Sequence, residues 1–115
     1  MISIIKLKEK IKEINGKIWC PVEIARVNNQ VVRLALMKGE YHWHEHKNED
    51  ELFYVVEGEL IIQVENESDI SLSEGEFTVI PKGKRHCPKS LDGAYVLMFE
   101  PFILESKEGL KATEG

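Results

Sequence analysis

The spacing of apolar residues changes near residue 19. Before it, Ile4, Leu7, Ile11 and Ile14 fall three or four apart and form one apolar stripe. That spacing predicts an amphipathic helix over Ser3–Gly16. Ser3 is the expected N-cap, and Asn15-Gly16 supplies a C-terminal stop. From Trp19 onward the apolar runs are short and strand-like: Val22–Val27, Val31–Leu36, Leu52–Val56, Leu60–Val64, Ile70–Leu72, Phe77–Ile80 and Tyr95–Phe99. Asn28-Asn29-Gln30 and Glu57-Gly58-Glu59 read as hairpin turns between the flanking runs. Further turn signals stand at Lys38-Gly39, Glu74-Gly75, Pro81-Lys82-Gly83 and Asp92-Gly93. Many short strands at this spacing predict an all-β sandwich or small barrel carrying one helix. The expected organisation of residues 1–115 is a single domain: helix 1–16, barrel 19–101, and a polar, partly disordered tail at 102–115.

One strand says something about assembly. In Leu52–Val56 both faces are apolar, and a strand apolar on both sides is covered on both sides. One face can fill the barrel. The other predicts contact with the N-terminal helix or with a second subunit, so a homodimer is expected.

Composition narrows the functional classes. A chain of 115 residues is long enough for one real core. A net charge of −5 argues against nucleic acid and anionic membranes as partners, since either would want a basic patch. Lys6, Lys8, Lys10 and Lys12 are interleaved with Glu9 and Glu13, which describes a solvated helix face. No apolar stretch approaches the roughly 18 residues that span a bilayer. The start, Met1–Lys6, lacks a basic leader and a long apolar run, and two cysteines are too few for a disulfide framework. A cytoplasmic protein with reduced thiols is expected. Cys87 should be a buried structural thiol, and Cys20 similar.

The four histidines are not scattered: His42, His44 and His46 stand in one run and His86 follows a Pro-x-Gly turn. Imidazole is the commonest protein metal ligand. On a strand, His42, His44 and His46 would share one face, with Tyr41, Trp43 and Glu45 on the other. A carboxylate would complete a site, and Glu49, Asp50 and Glu51 follow at once. Only one of the three need point inward. His86 would arrive by way of the turn at Pro81-Lys82-Gly83. Lys84 and Arg85 beside it are expected on solvated surface.

At this point the residues resemble a known family. His44-x-His46, four residues, Glu51, six residues and Gly58 match the first cupin motif. Gly75, five residues, Pro81-x-Gly83, two residues and His86 match the second, after a spacer of sixteen residues. The helix and the run Val22–Val27 are also similar to small cupins described as mannose-6-phosphate isomerase-like. The resemblance covers Trp19 to Pro101. It implies a jelly-roll barrel (a double-stranded β-helix) with one N-terminal α-helix. It also implies the ligand set His44, His46, Glu51 and His86. Choosing His42 and His44 instead would put Val56 where the family has a glycine. His42 then becomes a neighbour of the site, in the surrounding shell or touching substrate, and Phe53 is a further candidate for the pocket wall. Two positions depart from the family pattern. Gly39 stands five rather than six residues before His44, and Ser90 stands where Asn is usual.

Three neutral imidazoles and one carboxylate would bind one divalent ion, with Mn, Fe, Ni and Zn all candidates. A six-coordinate ion keeps two positions for water or substrate. The expected function is metal-dependent chemistry on a small oxygenated organic molecule, as an isomerase, a lyase or decarboxylase, or a dioxygenase. The alternative is a non-catalytic metal- or sugar-binding module or sensor. Because the ligands must be neutral, metal is expected to leave below about pH 6.

Overall fold

The computed structural model describes residues 1–102 and the short segments 104–105 and 111–112. Most of the expected tail, and with it the expectation of disorder, lies outside the described residues. Its two described segments, β8 (Leu104–Glu105) and β9 (Lys111–Ala112), pair antiparallel.

Helix α1 spans Leu7–Ile14, shorter than the apolar spacing predicts. Lys6 takes the N-cap place without a side-chain cap, so Ser3 does not start the helix. Ile4 is 85% exposed and contributes nothing to the stripe. The β-branched pair Ile4-Ile5 loses side-chain freedom in a helix, and with no packing in return it stays outside. The C-terminal stop is as expected: Asn15 is left-handed at φ 52°. Ile14 is buried, and α1 packs on β2.

Seven strands follow: β1 (Val22–Val27), β2 (Gln30–Glu40), β3 (Glu51–Gly58), β4 (Leu60–Val64), β5 (Ile70–Leu72), β6 (Phe77–Ile80) and β7 (His86–Pro101). All pairings are antiparallel. One layer runs β1-β2-β7-β3-β6. The other joins β5 to β4 and β4 to the first residues of β7. The strand β7 therefore belongs to both layers, and the core lies between them. Phe53, Val55, Leu60, Ile62, Met37, Val96 and Met98 fill it.

Three expectations about turns give way to this topology. Lys38-Gly39 and Asp92-Gly93 do not end strands. They are irregularities within β2 and β7, where the pairing register shifts between Met37 and Gly39. Glu57-Gly58-Glu59 does not close a hairpin either. Among the described residues β3 and β4 do not pair with each other. β3 pairs with Ala94–Phe99 of β7, and β4 with His86–Lys89. The chain turns a corner at Gly58 and changes layers. Gly58 has φ 89°, and a Cβ there would sit 2.4 Å from the Gly93 carbonyl oxygen, so only glycine fits.

Candidate metal centre

Tyr41–Asp50 was expected to carry its histidines on a regular strand. Instead it contains only isolated bridges. Its backbone is tied to the segment around His86. His44 and His86 exchange N–H···O bonds of 2.9 and 2.8 Å, Gly83 N donates to His46 O at 2.8 Å, and Tyr41 N donates to Pro88 O at 3.0 Å. Alternation survives without a full ladder: His44 and His46 point inward, while Trp43 is at the surface. The turn at Pro81–Gly83 is pinned by Asp50, whose Oδ1 accepts from Lys82 N at 2.9 Å. Glu51 then opens β3 with its side chain inside the barrel.

These paths converge. His44, His46, Glu51 and His86 each offer one ligand atom, and all four atoms lie within 4.8 Å of one another. The four residues are at most 3% exposed. Atoms bound about 2.1 Å from a common ion sit about 3–4 Å apart, so a small contraction would close this set on one. Glu51 Oε1 lies 3.2 Å from His46 Nε2 and 3.7 Å from His86 Nε2.

The tautomers agree with metal binding. His44 Nδ1 lies 3.0 Å from the His42 carbonyl oxygen, and His86 Nδ1 lies 2.8 Å from that of Lys84. A ring nitrogen facing a carbonyl must carry the proton, which leaves Nε2 with its lone pair free to bind. In both rings Nε2 is buried without a hydrogen-bond partner. A buried nitrogen with no partner is costly, and a cation is the partner this one suits.

Burial, followed by the nearby His86 ring, lowers the His44 pKa to about 4. Its ring is neutral and ready to bind at any physiological pH. Burial pushes the Glu51 carboxyl up, but the neighbouring Glu100 carboxyl and the facing His46 and His86 rings outweigh it and hold the pKa well below the ordinary range. Glu100 shows the opposite result. Burial and the contact with Glu51 push it up to about 10 against the pull of Arg33. Two touching carboxyls in a dry interior cannot both ionise cheaply, so the pair keeps one proton and Glu100 holds it.

Other candidates fall outside the cluster. The His42 ring is exposed, 5.3 Å from the His44 ring and 4.0 Å from Tyr41; its carbonyl is the part that orients His44. Phe53 is fully buried, with its ring edge-on to His86 at 6.0 Å. Glu49 caps the adjacent Asn48 N–H. Lys84 and Arg85 pair with Glu67 and Glu65 at half-exposed positions, as a solvated surface implies. Cys87 is buried as expected, but Cys20 is exposed, because its segment between Trp19 and β1 runs along the outside. Ser90, the departure from the family pattern, has a bonding role. Its Oγ donates to Glu59 O at 2.6 Å and accepts from Gly93 N at 3.1 Å, tying the corner together.

Two buried charged residues escaped the sequence reading. Arg33 and Glu100 are 4% and 0% exposed, and Arg33 Nη1 lies 2.5 Å from Glu100 Oε1. Inward alternation was the available signal, since Arg33 has the parity of Val31, Ala35 and Met37.

Known proteins share this arrangement. A family model described as a cupin domain matches residues 32–100. The chain is 37% identical over 90 residues to YdbB of Bacillus subtilis (strain 168), described as uncharacterized, covering 78% of this chain and 76% of that protein. It superposes on a cupin-2 domain-containing protein from Shewanella frigidimarina with TM-score 0.82 and 36% identity, covering 85% and 94% of the two chains. It is also 30% identical over 120 residues to 3-hydroxyanthranilate 3,4-dioxygenase of Xenopus laevis; the match takes in 96% of this chain but only 42% of that enzyme. With its jelly-roll β-barrel and both motifs in place, the chain belongs to the cupin family.

Proposed function

We propose that this cupin binds one divalent metal ion through His44, His46, Glu51 and His86 and uses it to act on a small oxygenated organic molecule. The observation that carries the reading is the pair of buried, unpartnered Nε2 atoms of His44 and His86 within the cluster, each with its Nδ1 proton committed to a backbone carbonyl. A bound ion would supply Lewis-acid polarisation, or dioxygen chemistry if it is iron. The chain's own residues keep the His44 ring neutral, fix the tautomers of His44 and His86 and exclude water. Isomerase, lyase or decarboxylase, and dioxygenase chemistry all suit such a site. Likeness to a dioxygenase supports the last, for the part of that enzyme the chain matches.

Loading metal-free protein separately with Fe2+, Mn2+, Ni2+ and Zn2+ would test the reading, with stoichiometry measured alongside oxygen uptake on small ortho-substituted aromatic acids. One equivalent of metal with uptake by the iron form is the expected result. No metal retained in any form would overturn it.

A second reading, a non-catalytic metal-binding module, is favoured by one observation: each ligand is at most 3% exposed and Phe53 packs beside His86. Metal binding without turnover on any small oxyacid or sugar would select it.

The partner reading is a second copy of the chain. Val32, Phe99, Leu52 and Val79 form one cross-strand row on the outer face, and Leu34, Leu97, Tyr54 and Phe77 the next. α1 lies over the β2 side, while Phe77 and Val79 stay 61% and 47% exposed. Apolar rows of this length mark an association surface. Two free cysteines among the described residues and the absence of a helix long and apolar enough to cross a membrane fit a cytoplasmic location.

A further inference from the structure

Arg33 and Glu100 belong to no ligand set, yet they are built into the same end of the barrel. The register explains how. Leu52 pairs with Phe99, and Val31 with Glu100. Glu51, one residue before Leu52, therefore lies beside Glu100. Arg33, two residues beyond Val31, faces inward on the next strand. Arg33 is held at two points. Nη1 pairs with Glu100 Oε1, and Nη2 donates to the Phe102 carbonyl at 3.3 Å. That contact occupies Oε1 of Glu100, and Oε2 has no other protein donor. Glu51 and Glu100 are opposite one another across the two strands, both with buried side chains, and their carboxyls are neighbours. The line Arg33–Glu100–Glu51 ends at the oxygen that faces His46 and His86.

We propose that Arg33 and Glu100 are positioning residues for the metal ligand: Arg33 anchors Glu100, and Glu100 keeps the Glu51 carboxyl turned toward His46 and His86. This rests on the metal-binding reading above. A purely structural ion pair would not need a third acidic group against it, because that contact is costly in a dry interior. The contact makes sense where a cation occupies the far side of Glu51. Groups that orient a ligand in this way set affinity and geometry without touching the ion. Glu100 also stands between a guanidinium and the site. Replacing Glu100 with alanine removes the group between them and leaves the Glu51 carboxyl without its neighbour, so affinity falls.

Co2+ titration of the purified protein, followed by visible absorption, tests this. Wild type should bind one equivalent. Glu100→Ala should bind about 10–100-fold more weakly with shifted absorption bands. Arg33→Lys, which keeps the charge and loses the forked contact, should fall between. Arg33→Met combined with Glu100→Ala should be no weaker than Glu100→Ala alone, as expected of groups acting as one unit. A Glu100→Ala protein that folds and binds Co2+ with wild-type affinity and bands would overturn the inference and leave the metal centre standing. Wild type that takes up no Co2+ would overturn the metal reading and this inference with it. If Glu100→Ala does not fold, wild type labelled with 13C-glutamate decides: the Glu100 carboxyl resonance should move as Zn2+ fills the site, and a resonance that stays put overturns the inference.

Discussion

His44 and His86 exchange both backbone hydrogen bonds, at 2.9 and 2.8 Å, although the four strands β3 to β6 separate them in sequence. The two rings are therefore delivered by one backbone bridge, with centroids 4.4 Å apart. The bridge does not depend on either side chain. His86→Ala should keep the fold and lose the metal, with affinity reduced more than about 100-fold, beyond the loss typical of an outer group. Metal analysis beside circular dichroism checks it, and equal metal in variant and wild type would count against the site.

The corner at Gly58 separates two costs of replacing glycine. Gly39 and Gly58 are both left-handed, at φ 80° and 89°. Nothing lies within 4 Å of a Cβ at Gly39, whereas at Gly58 it would strike the Gly93 carbonyl oxygen. Gly39→Ala should cost about 1 kcal/mol, from the backbone alone. Gly58→Ala should cost roughly 2–4 kcal/mol, because backbone has to move. Urea midpoints of the two variants decide, and equal losses would argue against the tight corner.

Acid should act on the metal-free protein through two opposed groups. The unfolded chain protonates His44 near its ordinary pKa of 6.5, but the folded chain only near 4. Stability from His44 is thus present above 6.5 and is lost as pH falls toward 4, on the order of 3 kcal/mol in all. Glu100 works in reverse. Its folded pKa is raised from 4.5 to about 10, so its contribution is present below 4.5 and lost as pH rises toward 10. Between 4.5 and 6.5 the two slopes offset each other. Wild type should be nearly flat there, while Glu100→Gln should lose stability steadily on acidification. Urea unfolding of chelated protein across that range measures both, and parallel curves would refute the opposed pair. For metal loading, His44 alone sets a limit near pH 4, below the value near 6 that an ordinary histidine implies.

The exposed row on β6 gives a fourth outcome. Phe77→Glu places a charge at the β6 edge of the apolar face without touching the core. A dimer joined there should become monomeric at micromolar concentration by sedimentation, with the metal still bound. An unchanged sedimentation coefficient would place the contact elsewhere.

Much of this was legible because it is local. Alternation located β1, β4, β5 and β6 at their observed bounds, and the spacing of His44, His46, Glu51 and His86 located the ligands once matched to a family pattern. Partner choice was not legible. Leu52–Val56 and Leu60–Val64 look like two arms of a hairpin, and only the shared preference for β7 sends them to different layers. Gly93, at φ 101°, reads as a turn but is a bend inside β7. Arg33 and Glu100 each look like an ordinary surface charge until their parity is set against a buried face. Cys20 escaped for the converse reason: burial depends on what lies over a segment, which its own residues do not report.

The long strand β7 carries His86 at its first position and Glu100 near its last, both facing inward. Side chains alternate, so adding or deleting a single residue between them would swing one of the two outward. The barrel thus imposes a frame on the stretch 87–99. Pairs of residues could be gained or lost there with both ends still inside, and an odd change would uncouple the ligand from its carboxyl neighbour even if every named side chain survived.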